Sequence, residues 1–205
     1  MAGVMRKGVS VVWLKIALFL IALLPLAVLI KNLVTGNLGP DPAQVITESL
    51  GLGAFQLLLA TLSITPLKKL TGWSGWLKCR RMLGLFAFFY AVLHVMAFLQ
   101  LILGWGDLWV TFTRRPYIIA GAAAFLLLVP LAVTSTRKMM KRTGRWWKPL
   151  HRLIYPSAIL VWVHFLWQAR SDVTEMVVYG GLLFLLLAVR AYWSGLSSLV
   201  PLRKA

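Results

Sequence analysis

An all-α membrane protein, a six-transmembrane-helix bundle with both termini cytoplasmic, is the architecture this chain predicts. Three observations predict it. Of its 205 residues 60% are hydrophobic and only 13% charged, where a soluble domain is about 25% charged. Its apolar residues gather into six runs of about 17–22 residues, the length that crosses a bilayer core. Its 22 Lys and Arg and its 5 Asp and Glu are segregated between the two sides that those runs define.

The first run, 11–30, follows Arg6 and Lys7. It is long for a signal-peptide core and no small-residue cleavage site follows it, so it reads as an uncleaved helix. The others are 50–67, 82–103, 117–133, 150–168 and 176–193. Their short connections make them antiparallel neighbours in one domain over 1–205. The runs are apolar nearly all round, so periodicity says little about which face meets which neighbour. With the N-terminus in the cytoplasm, segments 68–81, 137–148 and 203–204 place most of the basic charge there, and Lys15, Arg152 and Arg190 can snorkel to the same side. The outer side keeps Lys31, Arg114, Arg115 and Arg170, and all five acids: Asp41, Glu48, Asp107, Asp172 and Glu175. That is the positive-inside pattern. Tryptophans fall near both interfaces, and Trp162 alone lies well inside a run.

Several classes are excluded. The net charge of +17 would suit nucleic acid, but a soluble basic protein is not built from membrane-length runs, so no nucleic-acid partner is expected and membrane lipid is the surrounding partner. A single cysteine, Cys79, cannot close an internal disulfide. No phosphate-binding loop, dinucleotide fingerprint or metalloprotease motif occurs, no intramembrane carboxylate is present, and no residue is marked as catalytic.

The chemistry therefore rests on three histidines in or at the mouth of apolar runs: His94, His151 and His164. Ionisable residues inside a bilayer are costly and mark functional sites, and imidazole is a common ligand of haem iron. His94 lies roughly 18 Å and His164 roughly 21 Å from the inner ends of their spans at about 1.5 Å per residue. Two imidazoles at one depth on separate helices can clamp one haem iron from both faces; the bland alternative is a pair of histidines hydrogen-bonded across a helix interface. His151 lies roughly 20 Å below His164, beside Arg80 and Arg81, with no histidine at its level on the third span. It is open between a second haem, a quinone or flavin edge, and an ordinary interfacial histidine. Thirteen residues do not return to one helix face, although Pro156 can shift the phase by a kink. Arg80 and Arg81 are candidates for carboxylate or phosphate groups of a cofactor.

Longer stretches add a resemblance. Gly39-Pro40-Asp41-Pro42, Ile64-Thr65-Pro66-Leu67, Arg80-Arg81-Met82-Leu83-Gly84-Leu85, Leu93-His94, Thr113-Arg114-Arg115-Pro116-Tyr117, Thr134-Ser135-Thr136 and Trp147-Lys148-Pro149-Leu150-His151 running to Tyr155 and His164 occur in an order that resembles the ferric-reductase-like transmembrane domain shared with NADPH oxidases. Within it, the chain is similar to the haem-binding membrane subunits of bacterial methionine-sulfoxide reductase systems. The resemblance implies haem b as cofactor, one or two per chain, with FMN as a second cofactor. His94, His164 and His151 carry over as haem and metal ligands. It also implies a multi-pass protein of the bacterial inner membrane. Such a protein takes electrons from the quinone pool or a cytosolic flavin reductase and delivers them to MsrP, a periplasmic molybdenum-containing reductase. From the residues alone, a small proton-relaying transporter and a structural membrane anchor remain as alternatives.

Overall fold

The computed structural model describes residues 2–106, 108–168 and 173–199, and among them every regular element is helical. Asp107, Arg170, Asp172, Arg203 and Lys204, used above for orientation, lie outside the described residues. In chain order the helices are α1 (Ala2–Val34), α2 (Pro42–Thr71), α3 (Leu77–Ala97), α4 (Leu108–Arg114), α5 (Pro116–Val133), α6 (Arg137–Thr143), α7 (Trp147–His151), α8 (Ile154–Gln168) and α9 (Thr174–Leu199). Short 3-10 turns, Ser74–Trp76 and Gly144–Trp146, lead into α3 and α7, and a π-helical turn, Phe98–Leu103, continues α3.

The protein is an all-helical, multi-pass membrane protein. Five helical stretches are long and apolar enough to cross a bilayer: Val11–Val34, Pro42–Thr71, Ser74–Leu103, Pro116–Val133 and Thr174–Trp193. The expected fifth run, 150–168, is broken. α8 has 15 residues, about 22 Å of helix, and a turn at Arg152 and Leu153 separates it from α7. Pro156 explains the break: it has no N–H to give the Arg152 carbonyl, so that residue falls in a first turn, where the loss is tolerated. The first two helices overrun the expected limits, leaving a link of only 35–41 between them. Asp41 starts α2 as its cap, accepting from the Gln44 N–H at 3.1 Å, with Pro42 following.

α2 is the central post. Phe55, Leu58, Leu59 and Leu62 are buried along it, and α3 packs along its length. α5 and α8 form a second tight pair, where the Ser157 hydroxyl donates to the Ala124 carbonyl at 3.1 Å. In lipid, helices associate through close packing of small residues and hydrogen bonds between helices, not through a hydrophobic force. Both seams follow that rule, with Gly53, Gly84 and Ala87 in one and Gly121, Ala124, Ser157 and Ala158 in the other.

α9 closes against α2 and α8. The Gln56 amide donates to the Tyr179 hydroxyl at 2.7 Å, and Trp162 donates to the Met176 carbonyl at 3.0 Å with its edge on Phe184. Trp162 is therefore a packing residue of the α8–α9 contact.

α1 packs on α3 through Phe19 against Phe86 and is hydrogen-bonded to it through Tyr90. Tyr90, on α3, is almost wholly buried, and its ring fills the space left by Gly53. Its hydroxyl enters the α1 backbone ladder, accepting from the Leu26 N–H at 3.1 Å and donating to the Ala22 carbonyl at 2.8 Å. Those groups are four residues apart, next to Pro25, which weakens the ladder there. Tyr90→Phe removes both bonds while keeping the ring. It should lower stability by about 1 kcal/mol, read as a lower thermal midpoint of the purified protein in lipid discs. An unchanged midpoint would show that α1 is held by other contacts.

Candidate functional site

His94 and His164 meet. Their ring centroids are 6.1 Å apart with the planes at 78°. The His94 Nδ1 lies 2.8 Å from the Thr47 carbonyl oxygen and the His164 Nδ1 lies 2.7 Å from that of Tyr117. A carbonyl only accepts, so each Nδ1 carries the proton and donates. Each Nε2 is then left with a lone pair, the form in which imidazole binds a metal.

The two anchors are one device used twice. Each histidine follows its carbonyl by 47 residues. An offset of 70 carries Thr47 to Tyr117, Gly51 to Gly121 and His94 to His164. In a helix the residue four positions on stands over a given carbonyl, and here that residue is glycine both times. A Cβ on Gly51 would lie 2.9 Å from the His94 Nδ1, and one on Gly121 would lie 2.8 Å from the His164 Nδ1. Only a bare backbone lets the imidazole reach the carbonyl. The offset extends to the helix entries: Trp76, Lys78 and Leu83 recur as Trp146, Lys148 and Leu153, and the two 3-10 turns share it. Hydropathy and motif spacing pass over these glycines; the signal that finds them is the internal repeat. Beside Thr47, Glu48 accepts from Gln44 at 2.8 Å and from Gln168 at 3.3 Å, joining α2 to α8.

The third histidine is separate. His151 ends α7, stacked on Trp147 at 4.1 Å. Its Nε2 is 3.0 Å from the Thr134 hydroxyl, which itself donates to the Pro130 carbonyl at 2.6 Å. Thr134 therefore accepts from the His151 Nε2–H, which leaves Nδ1 as the basic nitrogen, the reverse of His94 and His164. By the 70-residue offset its counterpart is Arg81, so the repeat does not supply a second histidine here. The two arginines diverge. Arg81, exposed, lines a cleft of about 520 Å³ between α1 and α3 with Lys15 and Lys78. Arg80, half-buried, is within electrostatic reach of His151, Tyr155 and Arg190. Arg190 does not snorkel as expected; it faces the bundle, with Thr65 and Tyr155 beside it.

Residues 49–162, which hold His94 and His151 and end two residues before His164, match the model of the ferric reductase like transmembrane component family. The heme-binding subunit MsrQ of protein-methionine-sulfoxide reductase from Rhodospirillum rubrum is 46% identical over 179 residues, 86% of each chain. MsrQ from Xanthomonas campestris pv. campestris is 45% identical over 201 residues, 94% of this chain and 92% of its own. The chain belongs to the MsrQ family of ferric-reductase-like transmembrane proteins. The two carbonyl anchors predict a fixed tautomer for each histidine. Nitrogen NMR of histidine-labelled, ligand-free protein should show His94 and His164 protonated at Nδ1 and His151 at Nε2. Gly51→Ala or Gly121→Ala should remove that signature for the histidine it crowds. Unchanged spectra in both variants would contradict the role given to the glycines.

Proposed function

We propose that the chain is a haem b-binding electron-transfer subunit of the bacterial inner membrane that delivers electrons to the periplasmic methionine-sulfoxide reductase MsrP. The observation that carries this reading is the pair His94 and His164, each with Nδ1 tied to a carbonyl and Nε2 free. Two imidazoles complete a coordination sphere only for a metal that brings its other ligands with it, as haem iron does. The 6.1 Å centroid spacing suits two metal–nitrogen bonds of about 2 Å each, the usual length for imidazole, with the half-width of a ring on either side. Bound haem supplies one-electron redox chemistry.

The chain's own residues do the rest. The Thr47 and Tyr117 carbonyls hold the imidazoles in one tautomer and one orientation. Proton relay would need histidine nitrogens that pass protons along a chain of donors; here both Nδ1 atoms end on backbone carbonyls. The reading includes six crossings, the sixth made by α8 together with α7, with both termini in the cytoplasm. The acids Asp41, Glu48 and Glu175 then lie at the periplasmic end and the basic segments at the cytoplasmic end, as charge asymmetry supports. Electrons come from the quinone pool or a cytosolic flavin reductase, with FMN as a second cofactor. His151 and Arg80 stand on that entry side.

The test is a visible spectrum of the purified protein with each histidine replaced in turn. A low-spin haem b signal is expected in the parent and in His151→Ala. Its loss is expected in His94→Ala and His164→Ala, with electron delivery to MsrP falling by about 100-fold or more, as when a metal's environment is dismantled. A full low-spin spectrum in both of the last two variants would sink the assignment.

A further inference from the structure

Among the described residues, the Nη1 of Arg190 is the only buried side-chain nitrogen or oxygen without a hydrogen bond. The rest of that guanidinium is engaged: Nη2 donates to the Thr65 hydroxyl, and the group lies 5.3 Å from the centre of the Tyr155 ring. A snorkelling arginine keeps its head in water, so a buried Nη1 means that this one does not snorkel. Arg80 approaches from α3, within electrostatic reach of Arg190. No described carboxylate answers the pair. Asp41 and Glu48 stand at the start of α2, and Glu175 is 15 residues before Arg190 on the same helix, about 22 Å away. Two like charges within electrostatic reach, one with an unused donor, are unfavourable in a low-dielectric interior unless an anion answers them.

We propose that Arg80 and Arg190 bind a phosphate monoester that enters the bundle from its basic end. Charge gathered on one group favours this ligand over a lone carboxylate or a diester. A monoester carries about −1.5 to −2 near neutral pH, matching two guanidinium groups, whereas one carboxylate or one phospholipid diester supplies a single negative charge. Its three free oxygens can take the idle Nη1 of Arg190 and the fork of Arg80 together. The proposal rests on the preceding reading only for the identity of the natural ligand, a flavin mononucleotide, whose phosphate it locates. It does not depend on His94 or His164.

The experiment is titration of the full chain, in discs of neutral phosphatidylcholine, with flavin mononucleotide and in parallel with riboflavin, followed by flavin fluorescence. Flavin mononucleotide should bind about tenfold or more tighter than riboflavin, as charge-assisted pairing implies. Arg190→Gln and Arg80→Gln should each erase that difference, and Arg190→Lys should retain part of it. Equal affinity for the two flavins in the parent protein, or an undiminished preference in both glutamine variants, would overturn the proposal. So would native mass spectra showing that phosphatidylglycerol, added to the discs, takes the site in place of flavin and is lost in Arg190→Gln. The low-spin haem signal, read in the same samples, separates the two ideas: its absence alongside a clear phosphate preference would count against the histidine pair alone.

Discussion

Two hydrogen bonds, from imidazole Nδ1 to the carbonyls of Thr47 and Tyr117, decide what this bundle can hold. A helical carbonyl already accepts the N–H four residues on, yet keeps a second lone pair. That lone pair is normally screened by the side chain above it. Gly51 and Gly121 remove the screen, and a histidine from the neighbouring helix takes the exposed acceptor. The consequence is chemical as well as structural. With Nδ1–H committed to a carbonyl, Nε2 is bare, basic and fixed in direction. A buried imidazole without such an anchor would have two tautomers and a freely turning ring, and would have to be ordered when the metal bound.

The rest of the helix packing serves that geometry. α2 brings the carbonyl and glycine to α3, and α5 brings the equivalent pair to α8, so each hairpin supplies one complete anchor. The small residues along both seams let the backbones approach closely enough for an imidazole to span the gap. Tyr90 locks α1 to the first hairpin four residues before His94, and Trp162 locks α9 to the second two residues before His164. The helices around the histidine pair are thus cross-linked by hydrogen bonds. The opposite end is built differently, with His151, Arg80 and Arg190 crowding one region and a single broken helix, α7 to α8, running through it.

Hydropathy alone reveals a membrane bundle, and rise per residue puts His94 and His164 level, in keeping with the 6.1 Å ring separation. The reason is that bilayer thickness and helix rise are strong, one-dimensional constraints. The lateral arrangement is not legible in the same way. In helices apolar all round, no period distinguishes the face that packs from the face that meets lipid, so the insertion of Tyr90 into α1 and the inward turn of Arg190 leave no pattern to read. Arg190 is indistinguishable in sequence from a snorkelling residue because both lie one or two turns from a helix end. The break before α8 is half visible: Pro156 signals a disturbance, but whether a proline kinks a helix or begins one depends on the groups around it. The paired glycines stand in plain view at the 70-residue offset, legible through repetition alone. MsrP and the electron donors rest on resemblance, since no residue pattern in the chain speaks for them, and FMN rests on it too apart from the arginines that could meet its phosphate.

The central claim is that the protein, and not the metal, sets the two imidazoles, their planes crossed at 78° by anchors on different hairpins. Electron paramagnetic resonance of the ferric protein with haem bound tests this most directly, because the angle between axial imidazole planes governs the anisotropy of a low-spin iron signal. Crossed planes predict a highly anisotropic low-spin signal with one large g value. A rhombic low-spin signal, which reports parallel planes, or a purely high-spin signal, which reports a missing ligand, would contradict the account.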